Sequence, residues 1–219
     1  MNKYIDRCEA GIILAQQLKD YANLQDAIVL ALPRGGVPVA FEIARALSLP
    51  MDVFIVRKLG VPGHQELAMG ALASGGVVVF NEQIMHELNI DKLSINPILQ
   101  AERAELDRRE QLYRGKQPYP TLDNKTIILV DDGIATGATM RVAIKALKKN
   151  KPAQMIVATP VAAHTTCTEI AAVIDRIICP IQPPHFNAVG AWYDDFSQTS
   201  DNEVIELLMK SKRLQEQKN

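Results

Sequence analysis

Between Lys125 and Met140 the chain reads KTIILVDDGIATGATM. If Ile127 to Val130 form a strand, Asp131 and Asp132 stand at its end, and Gly133 to Thr139 become the loop entering the next helix. Backbone N–H groups at a helix N-terminus, joined by the Thr136 and Thr139 hydroxyls, make an anion cradle sized for a phosphate monoester. Gly133 and Gly137 permit a turn that side chains would obstruct. Two carboxylates repel a phosphate, so Asp131 and Asp132 are better suited to accept hydrogen bonds from vicinal hydroxyls of a sugar attached to it. The string describes a ribose 5-phosphate site. Adjacent aspartates also serve as helix caps or as the acidic pocket of a phosphorelay receiver, and threonines near a helix start are often caps. The absence of GK[ST] excludes a Walker loop.

Two other segments place charge where apolar runs end. LPRGGVP sets Arg34, Gly35 and Gly36 after one run; it also reads as an ordinary glycine-rich turn with an exposed arginine. FIVRKLGVPGHQELAMG sets Arg57 and Lys58 after another and continues through Gly60, Pro62 and Gly63 to His64 and Glu66. Near the C-terminus, QPPHFNAVGAWYDDFSQTSDNEV holds the only Trp. Phe186, Trp192 and Tyr193 are candidates for stacking on a flat base, or they close the edge of the core.

Short branched runs must carry these residues. DAIVLALP, MDVFIVRK, KTIILVDD, AQMIVATP and VIDRIICP are too short for helices and read as buried parallel strands. Helical periods separate them: Val37 to Leu47, and Gly137 to Lys149 with Met140, Ala143, Ile144 and Leu147 on one face. Such alternation specifies an α/β fold, an open and mostly parallel sheet flanked by helices, with ligands beyond the carboxyl ends of the strands. At the N-terminus, Ile5, Cys8, Ile12, Ala15 and Leu18 or Lys19 fall at helical spacing and predict an opening amphipathic helix. Dense charge between Ser94 and Gly115, with Glu105 to Arg109 and Glu110 to Arg114 at i,i+4 spacing, predicts a solvated helix inside an insertion spanning about 81–115. A C-terminal cap or hood over about 181–219 would end in a helix opened by a capping box from Ser200 to Glu203. All of this fits a single domain, 1–219.

At this point the chain resembles the type I phosphoribosyltransferase family. The resemblance runs from about Ile28 to Pro180 and rests on the motif ILVDDGIATGAT. It implies phosphoribosyl pyrophosphate as donor, with Asp131 and Asp132 on the ribose and Gly133, Ala135, Thr136, Gly137, Ala138 and Thr139 around the 5-phosphate. By the same resemblance Arg34, Gly35, Gly36, Arg57 and Lys58 bind pyrophosphate, with Arg34, Arg57 and Lys58 aiding its departure. The peptide from Arg34 to Gly35 is then often cis, and His64 and Glu66 fall in or near a lid. The implied cofactor is Mg²⁺ held mainly by the donor, with no all-protein metal cage. Ala135 replaces the acidic residue of 6-oxopurine members, which argues against hypoxanthine or guanine and leaves adenine-type or other acceptors open. The alternative function is a sensor that binds phosphoribosyl pyrophosphate or a nucleotide; sugar-phosphate hydrolysis is a weaker one.

The remaining features bound the partners. With 219 residues, 47% hydrophobic content and a net charge of -1, the chain offers no field for nucleic acid or membrane surfaces. Small-molecule substrates, and a homodimer, are the expected partners. Charges within MNKYIDRCEAGIILAQQL spoil a signal peptide or a span, and three scattered cysteines suggest a reduced, cytoplasmic setting.

Overall fold

The computed structural model describes residues 3–62, 64–90 and 92–217, with the side chains of 65, 66 and 92–94 outside that set. Gly63 and the side chain of Glu66 therefore lie outside the described residues. Helix α1 (Arg7–Gln17) leads to strand β1 (Ala27–Ala31), helix α2 (Gly36–Leu47) and strand β2 (Met51–Val53). Strands β3 (Val56–Val61), β4 (His64–Ala73) and β5 (Val77–Phe80) follow, then helices α3 (Glu82–Glu87) and α4 (Lys92–Arg114). The chain continues through β6 (Thr126–Val130), α5 (Ala138–Lys148), β7 (Gln154–Ala158), α6 (His164–Ala171), β8 (Arg176–Ile178) and α7 (Asp201–Glu216).

Five parallel strands form the main sheet in the order β2-β1-β6-β7-β8. β1 is buried throughout, and so are the last four residues of β6 and β7, because helices cover both faces. The order places β1 and β6 side by side at the centre, in the register Ala31 to Val130. Both chains leave the sheet there, and their two loops meet.

The apolar run from Met51 does not remain one strand. Phe54 N–H still donates to Ala31 at 2.8 Å, but Ile55 exchanges hydrogen bonds with Ser74, accepting from its amide and donating to its Oγ, both at 2.9 Å. The backbone thereby passes into a second, antiparallel sheet, β3-β4-β5, where Arg57 pairs with Leu72 and Lys58 with Ala71. Arg57 and Lys58 lie inside β3 rather than at the end of a main-sheet strand, and His64 opens β4 rather than a loop. Both Phe54 and Ile55 are buried, so hydrophobicity carries no signal of the change in partner.

Lys145 of α5 and Lys149, which caps that helix, close the outer edge of β5 by donating to the carbonyls of Phe80 and Val78 at 3.1 and 2.6 Å. Open strand edges invite foreign pairing, and charged side chains blunt them. Helix α4 lies against β3, β4 and α7, burying Ile95, Leu106 and Tyr113. Its expected ion pairs form, Glu105 with Arg109 at 2.7 Å and Glu110 with Arg114 at 2.9 Å. Arg114, however, is buried rather than solvated, donating to both Asp52 oxygens and to the Val53 carbonyl. Burial holds the Asp52 carboxyl above the usual range even against that guanidinium.

Helix α1 forms, and Ala15 and Leu18 of the expected face are buried, but the rest of that face is not. Ala10, Gly11, Leu14 and Ala15 are buried, whereas Cys8, Ile5 and Ile12 are exposed. The cause is close packing: a Cβ on Gly11 would stand 2.6 Å from the Val39 carbonyl of α2. A glycine and two alanines let the two helices approach, and Ile5, Cys8 and Ile12 turn outward while Leu14 stays buried. Ser200 caps α7 through a bond from the Glu203 amide at 3.1 Å. Cys167 and Cys179 are buried and free, and among the described residues no helix is long and apolar enough to cross a membrane.

Candidate functional site

The site is assembled where β1 and β6 end. After β1 the chain turns through Pro33, Arg34 and Gly35 into α2; the Gly36 amide donates to Leu32 at 3.1 Å and the Val37 amide to Arg34 at 3.1 Å. The cis peptide is Pro33–Arg34, one bond earlier than the expected Arg34–Gly35. Gly35 lies directly on the acidic pair: a Cβ there would be 1.9 Å from Asp132 Oδ2. A Cβ on Gly36 would stand 2.7 Å from the Val130 carbonyl.

After β6, Asp131 and Asp132 are half-buried, and the Asp132 amide donates to Asp131 Oδ1 at 2.9 Å. Burial and the neighbouring charge of Asp132 push the Asp131 carboxyl well above the usual carboxylate range. Asp132 has a cationic partner absent from the motif: Arg7, whose Nε and Nη2 donate to Oδ2 at 2.8 Å each. The same guanidinium donates to the Ser197 carbonyl at 2.7 Å and lies 4.0 Å from the Phe196 ring centroid.

The loop beyond is held from below and open above. Gly133 is buried against Val189, the Ile134 amide donates to Val161 at 2.9 Å, and Thr166 Oγ1 donates to the Ala135 carbonyl at 2.9 Å. Arg141 donates to the Thr136 carbonyl at 2.6 Å and pairs with Glu169 at 2.8 Å. Gly137 sits at φ 71°, a left-handed conformation that glycine adopts without strain, and α5 starts at the next residue. Ala135, Thr136, Ala138 and Thr139 are exposed above this framework. Carbonyls are thus consumed beneath the loop while the first turn of an eleven-residue helix faces outward, the arrangement that attracts an anion.

The basic residues are placed apart from this cluster. Arg34 extends toward α7, its Nη1 3.8 Å from Asp201 Oδ1, which also accepts from the Tyr113 hydroxyl at 2.5 Å. Arg57 gives Nε and Nη2 to Glu102 of α4, both at 2.7 Å. Arg57 and Lys58 line a cavity of about 420 Å³ together with Gly60, Val61, Pro62, Ile98 and Glu102. None of the residues 131–139 lines it.

Of the three aromatics expected to meet a base, Tyr193 is not available. It is 3% exposed, packed between the rings of Tyr4 and Phe196, with its hydroxyl donating to the Asp132 carbonyl at 2.6 Å. Burial pushes that hydroxyl far above its ordinary range. Phe186 and Trp192 are half-buried against Tyr193, Val161 and Ile181 and close the edge of the fold.

Arg7, Glu102 and Asp201 are absent from any motif. Arg7 leaves one trace in the sequence: it stands in the first turn of α1, directly after the capping Asp6, where the helix dipole disfavours a cation. A residue kept there against the local field has a partner elsewhere.

A family model described as a phosphoribosyl transferase domain matches residues 7–196. The chain belongs to that family. A Mycobacterium tuberculosis protein provisionally named a phosphoribosyl transferase is 39% identical over 214 residues, 97% of this chain and 48% of the relative. The chain thus spans about half the length of the curated relatives it matches. Among solved structures, TT1426 from Thermus thermophilus is 36% identical with a TM-score of 0.84, covering 95% of this chain and 98% of that one. The AQ2163 protein from Aquifex aeolicus shares the fold alone, at 14% identity and a TM-score of 0.50 over 84% of this chain and 78% of that one.

Proposed function

We propose that this chain transfers ribose 5-phosphate from phosphoribosyl pyrophosphate to a nitrogen of a heterocyclic acceptor, releasing pyrophosphate. The observation that carries the reading is the joined pair of loops, with Gly35 in van der Waals contact with Asp132 beside the open first turn of α5. The acidic edge then faces the ribose, and residues Gly133, Ala135, Thr136, Gly137, Ala138 and Thr139 surround the 5-phosphate. Displacement at C1 breaks the bond to pyrophosphate and develops positive character on the sugar. Arg34, Arg57 and Lys58 are assigned to the charge that leaves with pyrophosphate.

The α4 and α7 carboxylates bear on that role. Glu102 takes the Nε and Nη2 edge of Arg57, which leaves the other edge of the planar fork for a phosphate oxygen. Among the described residues no three His, Cys, Asp or Glu side chains converge. A Mg²⁺ ion held mainly by the donor's own oxygens would neutralise charge on the leaving group. Ala135 offers no carboxylate to an acceptor base, so a base recognised through such a group is not the substrate proposed.

The test is Mg²⁺-dependent pyrophosphate release across purine, pyrimidine and smaller heterocyclic acceptors. Release with one acceptor class is expected, and Lys58→Ala should lower turnover by about 10²-fold while weakening donor binding less. Tight donor binding by a wild-type protein that stays silent with every acceptor would instead establish a sensor.

A further inference from the structure

Helix α4 turns a charge inward where its pattern needs an apolar residue. Ile95, Leu99, Leu106 and Tyr113 recur at helical spacing and pack into the core. Glu102 occupies the same stripe, its side chain 24% exposed, and its Oε2 accepts both Nε and Nη2 of Arg57 at 2.7 Å. A half-buried carboxylate on a packing face is costly unless paired, and an apolar pair in its place is often the more stable choice. The reason for Glu102 therefore lies in what it does to Arg57. Both bonds come from one edge of the planar guanidinium, which fixes its plane and leaves Nη1 to a phosphate oxygen.

The same face of α4 reaches Arg34 through a second carboxylate. Tyr113 stands about three turns beyond Glu102. It is buried, and its hydroxyl donates to Asp201 Oδ1 at 2.5 Å. Asp201 lies in the first turn of α7, where the helix dipole favours a negative charge, and beyond residues 7–196 that the family model matches. Its Oδ1 is 3.8 Å from Arg34 Nη1. At that distance the guanidinium is attracted but not bonded, so its N–H groups remain for a ligand.

We propose that α4 is a positioning helix for the two arginines: Glu102 orients Arg57, and Tyr113, through Asp201, orients Arg34. The proposal rests on the transferase reading, in which both arginines meet the departing pyrophosphate. A guanidinium held in plane before the ligand arrives loses less freedom on binding, and its N–H groups stay aimed as charge grows on the leaving group. Neither carboxylate needs to touch the ligand.

Mg²⁺-dependent pyrophosphate release by the full chain tests this, with calorimetry against phosphoribosyl pyrophosphate and a thermal melt of each variant. Glu102→Ala should lower turnover about tenfold, the size of one hydrogen bond to a charged group, and weaken donor binding less. In an Arg57→Ala background the same substitution should change turnover by less than about twofold, because the group it positions is gone. Glu102→Gln, which keeps the volume and an acceptor oxygen, carries the same test if the alanine variant does not fold. Tyr113→Phe should lower turnover about twofold to fivefold, a loss that vanishes in an Arg34→Ala background. A pair that only fastens α4 to β3 would behave differently: Glu102→Ala and Arg57→Ala would lose turnover equally, in step with Tm. That result overturns the proposal, as does either loss persisting in full without its arginine. A Glu102→Ala protein faster than wild type overturns it too, because Glu102 would then be restraining Arg57. Wild-type protein that releases no pyrophosphate with any acceptor overturns the transferase reading and this proposal with it, and that result appears before any substitution is made.

Discussion

The loop cluster at the ends of β1 and β6 and the antiparallel β3–β5 unit with α4 are built in opposite ways. The first is built mainly of two short segments whose loops touch, tied by one long-range ion pair from Arg7 to Asp132, and its shape follows from glycines that admit close approach. The second is pinned by charged side chains reaching between elements far apart in sequence: Arg114 to Asp52, Arg57 to Glu102. A short motif can encode contact geometry, whereas ion pairs between distant helices and strands need the completed fold. Damage should therefore be local and steric in one region, and delocalised and electrostatic in the other.

The largest effect should come from Arg114→Ala. Removing a guanidinium only 5% exposed leaves the Asp52 carboxylate uncompensated at the sheet edge. A loss of about 3–5 kcal/mol in unfolding free energy is expected, read by urea denaturation. A loss below about 1 kcal/mol would place this pair among surface salt bridges.

Arg57→Ala is next. If its free edge meets pyrophosphate, turnover should fall by about 10²-fold, equivalent to roughly 2.7 kcal/mol, with a smaller change in donor affinity. Equal losses in both would show binding that does not grow in the transition state.

Gly35→Ala sharpens the contrast from the other side. A methyl group 1.9 Å from Asp132 Oδ2 must displace the carboxylate or the turn. Overpacking of this kind costs about 1–3 kcal/mol and should disturb donor binding together with stability. An alanine variant with unchanged melting and unchanged binding would refute the tight junction between the two loops.

The smallest effect is a gain. Because the Asp131 carboxyl is pushed up in the folded protein, the fold holds that proton more tightly than the unfolded chain does. Its contribution is favourable below the unfolded carboxyl range and is lost as pH rises through the folded value. Asp131→Asn, which does not titrate, should therefore melt higher than wild type near pH 7, with the advantage shrinking toward about pH 4. Melts across that window check it; an advantage that grew with acid would reverse the sign.

What was legible in the sequence was whatever neighbouring residues decide among themselves. Branched runs marked the main-sheet strands, and the face of α5 with Met140, Ala143, Ile144 and Leu147 buried follows from helical period alone. The position of Asp131 to Thr139 at a strand's carboxyl end follows in the same way. The fold decided the rest. Only Ser74 shows that Ile55 has changed sheets, and only contact with Val39 explains why α1 turns Ile12 outward. Tyr193 could have been read as a stacking surface until the Asp132 carbonyl and its ring neighbours were in place. Arg7 lies 125 positions from Asp132, and no periodicity or spacing connects them. The physical reason is common to all these cases. Hydrophobic period reports that a residue is buried, but burial does not name the partner, and a charge finds its counter-charge only when the chain has brought distant elements together.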